Sequence, residues 1–288
     1  MTMEEMNLTV LERMSRYLTE YPRFIAAQDV EEVAACGVTR EEAVRMLFAS
    51  ACGFDGDRAV CERYLRPSIA RLDACEFRKN PYRLAIHFPE AELGCWRMTH
   101  LSYAPYELFV RDDLLCMADG REIPRLGYFE EAFAYPAVLQ DGREWMTVTP
   151  NEIATMQPAV EAARGHVAAM GLGLGYFAFM ASEKPEVTQV TVVERDEQVI
   201  RLFKTHILPQ FPQRGKVQIV QQDAFEFAQR TLPGLGAQLC FVDLWHDTLD
   251  GAPLYLRMKA LEGASPDTAF MYWIETSIRS FLRGIGKA

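Results

Sequence analysis

Three strand-end carboxylates, Glu194, Asp223 and Asp243, stand where this sequence can do chemistry, with His246 and Asp247 just beyond the last. Each acid ends or closely follows a short apolar run: VTVV before Glu194, VQIV before Asp223 and LCFV before Asp243. A carboxylate at a strand end can accept two hydrogen bonds from the paired hydroxyls of a ribose. A histidine among acids can take a proton from an acceptor while a neighbouring carboxylate orients its ring. That makes His246 a candidate base, Asp247 or Asp243 its partner, and Trp245 a stacking surface for a ligand. The bland alternative is a polar loop histidine beside a core tryptophan.

The elements that position these residues start in the stretch GHVAAMGLGLGYFAFMASEKPEVTQVTVVE, from Gly165 to Glu194. It reads as a strand, a turn carrying Gly171, Gly173 and Gly175, a helix, and a second strand closed by an acid. Glycines are needed there because the chain turns sharply and lets a ligand approach the backbone where a Cβ would block it. Glu194 lies 23 residues beyond Gly171, where the second strand should end. A dinucleotide fingerprint, GxGxxG, would need a small residue at position 176 for close helix–strand packing. Tyr176 stands there, which turns the reading away from a nicotinamide dinucleotide.

Strands and helices keep alternating beyond Glu194. The periodicity predicts helices over Gln198–Ile207, Ala224–Thr231 and Leu254–Leu261, strands over Val217–Val220, Leu239–Val242 and Thr268–Ile274, and a last helix. Before the glycine turn, Pro150-Asn151-Glu152 opens a helix over Ile153–Ala163. Glu152, Thr155 and Met156 there can close over a ligand, although an ordinary helix start is the simpler reading. The expectation is an α/β fold, a Rossmann-like doubly wound sheet of five parallel strands in the order 3-2-1-4-5. Ligands of such sheets bind beyond the carboxyl ends of the strands at the switch point, where the acids and glycines fall. The fifth strand is expected to be an edge, covered either by the preceding β-rich region or by a second subunit.

The first half differs. Over residues 1–80 the pattern is helical: Leu8, Leu11, Met14 and Leu18 repeat at helical spacing, Thr39 and Glu42 suggest a capping box before Ala43–Ala51, and Asp57 can cap Arg58–Leu65. This region reads as a small bundle, serving as an appendage or as a lid or dimerisation element. Residues 81–149 read as a small β-rich module, with strands over Tyr82–Phe88, Tyr106–Arg111, Leu114–Met117 and Trp145–Val148. Its turns fall at Asp119-Gly120 and Asp141-Gly142, a favoured hairpin dipeptide. Its many aromatics, Trp96, Tyr128, Phe133 and Trp145 among them, form either a core or the wall of an acceptor pocket. Residues 150–288 are the nucleoside-binding domain.

The 288 residues suggest about two domains. No stretch approaches the roughly 18 uninterrupted apolar residues of a membrane span, and the acidic N-terminus argues against export. Seven cysteines without a CxxC pair read as reduced thiols, so the expected location is the cytoplasm. The five histidines include no HxxxH or HExxH, and no metal site is expected. A net charge of −10 sets up a field that repels nucleic acid. The expected partners are a small-molecule acceptor and, as a candidate, a second copy of the chain, with neither nucleic acid nor membrane.

The pieces VTVVERDEQVI, ILPQF, KVQIVQQDAFEFAQR and CFVDLWHD, with the GxGxG turn, resemble the class I S-adenosylmethionine-dependent methyltransferase superfamily. Within it they resemble the spermidine synthase-like branch. The likeness covers Asn151 to Glu275 and does not reach the helical N-terminus. It implies S-adenosylmethionine as cofactor and methyl transfer to a small molecule. By that resemblance Gly171, Gly173 and Gly175 would line the methionine and ribose part, and Glu194 would hold the ribose with Arg195 beside the adenine. Asp223 and the Ala224 N–H would pair with the adenine edge, and Asp243 would sit near the sulfonium and the acceptor. There are departures. Ala169 stands where many methyltransferases carry an acid. Asp243-Leu-Trp-His-Asp247 lacks the spacing and proline of the Asp-x-x-Asp-Pro motif of aminopropyltransferases. The Asn-Pro-Pro-Tyr motif of amino-methylating enzymes is absent. Aminopropyl transfer and a non-catalytic binding or assembly role are therefore the alternatives to methyl transfer.

Overall fold

A computed structural model describes residues 2–286. Its strands are β1 (Ile69–Arg71), β2 (Ala91–Leu93), β3 (Trp96–Tyr103), β4 (Phe109–Cys116), β5 (Glu122–Tyr128) and β6 (Phe133–Gln140). They continue with β7 (Arg143–Thr147), β8 (Gly165–Met170), β9 (Val187–Glu194), β10 (Val217–Gln221), β11 (Leu239–Val242) and β12 (Ala269–Tyr272). Two compact units emerge: Met1–Phe77 with Ser102–Ala134, and Arg78–Leu101 with Tyr135–Ala288.

The first unit packs helices Met3–Glu20, Ala27–Ala34 and Arg40–Ala51 with a sheet in the order β1-β5-β4. The buried stripe of the first helix is Asn7, Val10, Met14 and Tyr17, while Leu8 is 55% exposed, so the apolar face is rotated from the predicted one. Asn7 explains the rotation: its side chain accepts from the Tyr64 hydroxyl and donates to the Gly120 carbonyl, which fixes which face turns inward. Thr39 caps its helix by accepting from the Glu42 N–H, but the Glu42 carboxylate turns to Arg45 instead of completing a capping box. Asp57 caps Arg58–Val60, and a π turn carries the chain on to Leu65. Ile123, Leu126 and Tyr128 of β5 share one apolar cluster with Val10, Phe48 and Leu65.

The second unit contains five parallel strands in the order β10-β9-β8-β11-β12 and most of an antiparallel sheet ordered β2-β3-β6-β7. Trp96, Met98, Val138 and Val148 lie in the same apolar cluster as the buried residues of the parallel sheet. The stretch 81–149 is therefore shared between the two units, which divide the chain at Phe77/Arg78, Leu101/Ser102 and Ala134/Tyr135. The reason is that apolar residues on β5 and on β3 and β6 complete two different cores. Tyr82–Phe88 is not a strand: Asn80 caps a short helix, Pro81–Ala85, with Pro81 in its first turn where no N–H is needed. Tyr106–Arg111 and Leu114–Met117 fall largely on one irregular strand, β4, with two register shifts. Asp119-Gly120 joins β4 to β5, and Asp141-Gly142 joins β6 to β7 with both residues at positive φ, as a tight hairpin turn demands. Among the described residues no strand of the β-rich stretch pairs with β12, which is the edge of the parallel sheet.

No described helix is long and apolar enough to cross a membrane. All seven cysteines are free.

What holds the glycine turn is a neighbour from outside the predicted strand–turn–helix unit. The buried Tyr82 hydroxyl donates to the Leu174 carbonyl at 2.7 Å, and Asn80 Nδ2 donates to the Tyr176 hydroxyl at 3.0 Å. Tyr82→Phe leaves the Leu174 carbonyl without its donor, and denaturant unfolding should register a loss of about 1–3 kcal/mol.

Candidate functional site

β8 and β11 are neighbours, while β9 and β12 lie on their far sides, so the switch point falls between the ends of β8 and β11. There the Gly171 N–H donates to the Val193 carbonyl and the Asp243 N–H to the Met170 carbonyl, both at 2.9 Å. A Cβ on Gly171, at φ +99°, would lie 2.0 Å from the Asp243 carbonyl oxygen. The residue must be glycine for these two strand ends to pass. Gly173, at φ +53°, has only the Met146 sulfur near its missing Cβ, at 3.9 Å. Its backbone is the open one, and both residues line a cavity of about 340 Å³. Gly175 does not line it. Its missing Cβ makes room for the Phe203 ring, 2.3 Å from where that carbon would be, so the predicted ligand role gives way to packing.

The cavity gathers most of the expected residues: Glu194, Arg195, Asp223, Ala224, Asp243 and His246 all line it. The Glu194 carboxylate accepts from the N–H groups of Arg195 at 2.7 Å and Asp196 at 2.9 Å through Oε1, and from Leu172 at 3.4 Å through Oε2. It thus ties the end of β9 to the glycine turn while Oε2 keeps acceptor capacity. Asp223 caps helix Ala224–Arg230 through Oδ1, bonding the N–H groups of Phe225 and Glu226 at 3.0 Å. The Ala224 N–H has no acceptor among the described residues, so an open donor stands beside an acceptor carboxylate.

The predicted catalytic set is only partly assembled. Asp247 is not among the residues lining the cavity. It caps helix Thr248–Lys259, accepting from the Leu249 and Asp250 N–H groups, because the first turn of a helix presents unpaired donors that a short acid satisfies. The partner of His246 is neither Asp243 nor Asp247: Nδ1 lies 3.0 Å from Asp250 Oδ2. Desolvation acts to raise Asp250, but the hydrogen bonds from the His246 ring and from backbone N–H groups outweigh it and leave it below its usual value. The His246 ring meets Trp145 edge-on at 3.8 Å between centroids, joining β7 to the loop after β11 at the rim of the cavity. Trp245 is buried against Gly251, which has no Cβ to obstruct the indole.

Two acids that carried little or no weight in the sequence complete the site. Glu152, in the first turn of helix Pro150–Ala162, and Glu144 on β7 line the cavity with Asp243. Burial pushes Asp243 up to about 7. Glu152 is held well above the usual carboxylate range by desolvation first, then by the charges of Asp243 and Glu144. Both residues keep some accessible surface, which faces the cavity they line. Glu144 belongs to the exposed rim, yet desolvation of its carboxyl end raises it as well. Glu152 is legible in retrospect as an acid one turn ahead of Met156 on a helix leading into β8, whereas Glu144 reaches the cavity only through the pairing of β6 with β7. Among the described residues no group of three or more His, Cys, Asp and Glu side chains is arranged to hold a metal ion. In charge the lining is lopsided: five carboxylates against Arg195 and the His246 ring.

No family model and no curated protein matches the chain. Among solved structures, the crystal structure of spermidine synthase from Thermotoga maritima is similar, with 15% identity and a TM-score of 0.36 over 69% of this chain. The match takes in 62% of that chain, less than two thirds of its length. So distant a likeness carries no activity, substrate or cofactor across. What the site does has to be argued from its own residues.

Two measurements probe this geometry. In urea unfolding, Gly173→Ala should cost about 1–2 kcal/mol, the usual penalty of a left-handed residue, and Gly171→Ala distinctly more, because its Cβ also meets a carbonyl. The second concerns pH. A carboxyl raised from 3.8 to about 7 on folding makes the folded state bind more protons than the unfolded one between those values. Its contribution to stability is therefore full at low pH and is lost as pH rises toward 7. Glu152 acts with the same sign. Asp243→Asn should flatten that fall and make the protein more stable than the wild type at pH 8.

Proposed function

We propose that this chain is a group-transfer enzyme that uses a sulfonium nucleoside, S-adenosylmethionine, to methylate a small acceptor. The observation that carries this reading is the convergence of three strand-end features in one cavity. A carboxylate whose Oε2 keeps acceptor capacity stands at the end of β9 (Glu194), an acceptor beside an open N–H after β10 (Asp223 and Ala224), and a desolvated acid after β11 (Asp243). The first suits paired ribose hydroxyls, the second the edge of an adenine, and the third lies where the reacting group would be. A lining rich in carboxylates favours a cation, and the sulfonium is one.

The residues then divide the work. Gly173 admits the donor close to the backbone, and Glu194, Asp223 and Ala224 fix its nucleoside. In the transfer, the acceptor's lone pair forms a bond to the methyl carbon, the carbon–sulfur bond breaks, and sulfur keeps its electron pair. The acceptor's proton needs a base. Asp243, raised to about 7, has the affinity for a proton that suits work near neutrality, and Glu152 is placed to share it. His246, paired with Asp250, and Asp247, engaged as a helix cap, are less well disposed for that step.

One observation favours a second reading, aminopropyl transfer from the decarboxylated donor. Among the lining residues Arg195 is the one permanent cation, and little else is present to match the methionine carboxylate.

Calorimetric titration with S-adenosylmethionine, its decarboxylated form, S-adenosylhomocysteine and NAD separates these. The expected outcome is binding of the sulfur nucleosides, none of NAD, and loss of binding in Glu194→Ala. A clear preference for the decarboxylated form transfers the assignment to the second reading, and no binding of any sulfur nucleoside removes both.

A further inference from the structure

β12 ends in a feature that neither the fold nor the proposed transfer explains. Ile274 sits in the left-handed region at φ 45°, ψ 38°, as the first flanking residue of helix Glu275–Gly284. A branched side chain there is unusual, because its Cβ substituents crowd the backbone. Among the described residues the other two non-glycine residues at positive φ are Tyr106 and Asp141, and Asp141 lies in a hairpin turn that calls for it. Nothing comparable demands the conformation at Ile274.

What the strained turn holds is Trp273. Its N–H donates to the Val242 carbonyl at 3.0 Å, and its indole N–H donates to Thr155 Oγ1 at 2.8 Å. Thr155 in turn donates to the Asn151 carbonyl at 2.7 Å, so the chain of bonds ends on a helix backbone. Trp273 is only 7% exposed and lines the cavity. Since its one polar group is engaged elsewhere, the ring offers the cavity only aromatic surface. Glu152 and Met156, on the same face of the helix as Thr155, line the same cavity. An aromatic surface and a carboxylate suit a cation that has no hydrogen to donate, as a sulfonium has none.

We infer that Trp273, fixed by the strained turn at Ile274 and by Thr155, is the aromatic surface that recognises the donor's positive charge and distinguishes the sulfonium from the neutral thioether left after transfer. This rests on the donor reading above. The consequence is directional. Once the group has left, the attraction between ring and cation disappears, and the product is held less tightly than the donor. Trp273 touches the ligand, whereas Ile274 is a positioning residue.

The test is the ratio of affinities for S-adenosylmethionine and S-adenosylhomocysteine, measured by calorimetry on the full chain, with thermal unfolding run alongside. The wild type should prefer the sulfonium. Trp273→Leu should lower that preference about tenfold or more, and Trp273→Phe should keep most of it. Ile274→Gly frees the turn, so the preference should fall, while thermal unfolding reads the packing that the Ile274 side chain gives up against the core. A purely structural role would weaken both ligands equally in each variant, and that result overturns the inference. Equal affinities in the wild type overturn it while leaving the donor reading intact. If neither nucleoside binds the wild type, both fail together.

Discussion

A glycine and a carbonyl oxygen pass at the switch point with no room for a side chain between them. Gly171 turns away from β8 just where Asp243 leaves β11, and the Asp243 carbonyl oxygen occupies the space a Cβ would need. Because β8 and β11 are hydrogen-bonded neighbours whose continuations diverge, the crevice opens there. The other parts of the site depend on that parting. Glu194 reaches back to the N–H of Leu172, Tyr82 holds the Leu174 carbonyl, and Asp243 sends its side chain to the cavity rather than to water. A larger residue at 171 would displace the loop after β11, and with it Asp243, the acid that burial raises to about 7.

Carboxylates that crowd one another away from bulk water pay for it in proton affinity. Asp243 rises by desolvation, and Glu152 rises further because Asp243 and Glu144 add their charges to the same loss of water. Near neutral pH such a group of acids holds fewer charges than it has carboxyls. It also retains a negative potential that a cation can satisfy and a water molecule satisfies poorly. The same acids therefore supply both attraction for a positive ligand and proton affinity for a base, two properties that a solvated surface acid lacks.

Much of the second unit was legible in the sequence, because its signals are local. Five apolar runs, each with a helix after it, are buried on a parallel sheet and read as continuous β-prone segments, and Gly171, Glu194, Asp223 and Asp243 each end or follow their own strand. The roles of Gly175 and Asp247 were not legible. In sequence Gly175 looks like the glycines before it, and only the Phe203 ring, 28 residues away, shows that it is there for packing. Asp247 shares its type and neighbourhood with Asp243, yet the start of a helix at Thr248, six residues earlier than the apolar periodicity suggested, claims its carboxylate. Residues 81–149 were the least readable stretch. Pro124 and Pro136 interrupt β5 and β6, which disguises them as strands, and the apolar residues of these strands complete two different cores. Glu144 was hidden for the same reason, since strand pairing rather than sequence spacing brings it to the rim.

The two sides of the cavity differ in how fully they are satisfied before any ligand arrives. On the side of β9 and β10, Glu194 and Asp223 accept hydrogen bonds from backbone N–H groups that hold their carboxylates in place, so that side is preorganised at little cost. On the side of β11 and β12 the unfavourable features collect: Asp243 and Glu152 without donors to their carboxylates among the described residues, and Ile274 in a conformation its side chain resists. A site that only stored a nucleoside would need the first side alone. Strain and uncompensated charge persist in a fold when a bound state relieves them or uses them, and here they lie together at one end of the cavity. Satisfied carboxylates lie in one half of the crevice and raised acids with backbone strain in the other, with Gly171 on the line between them.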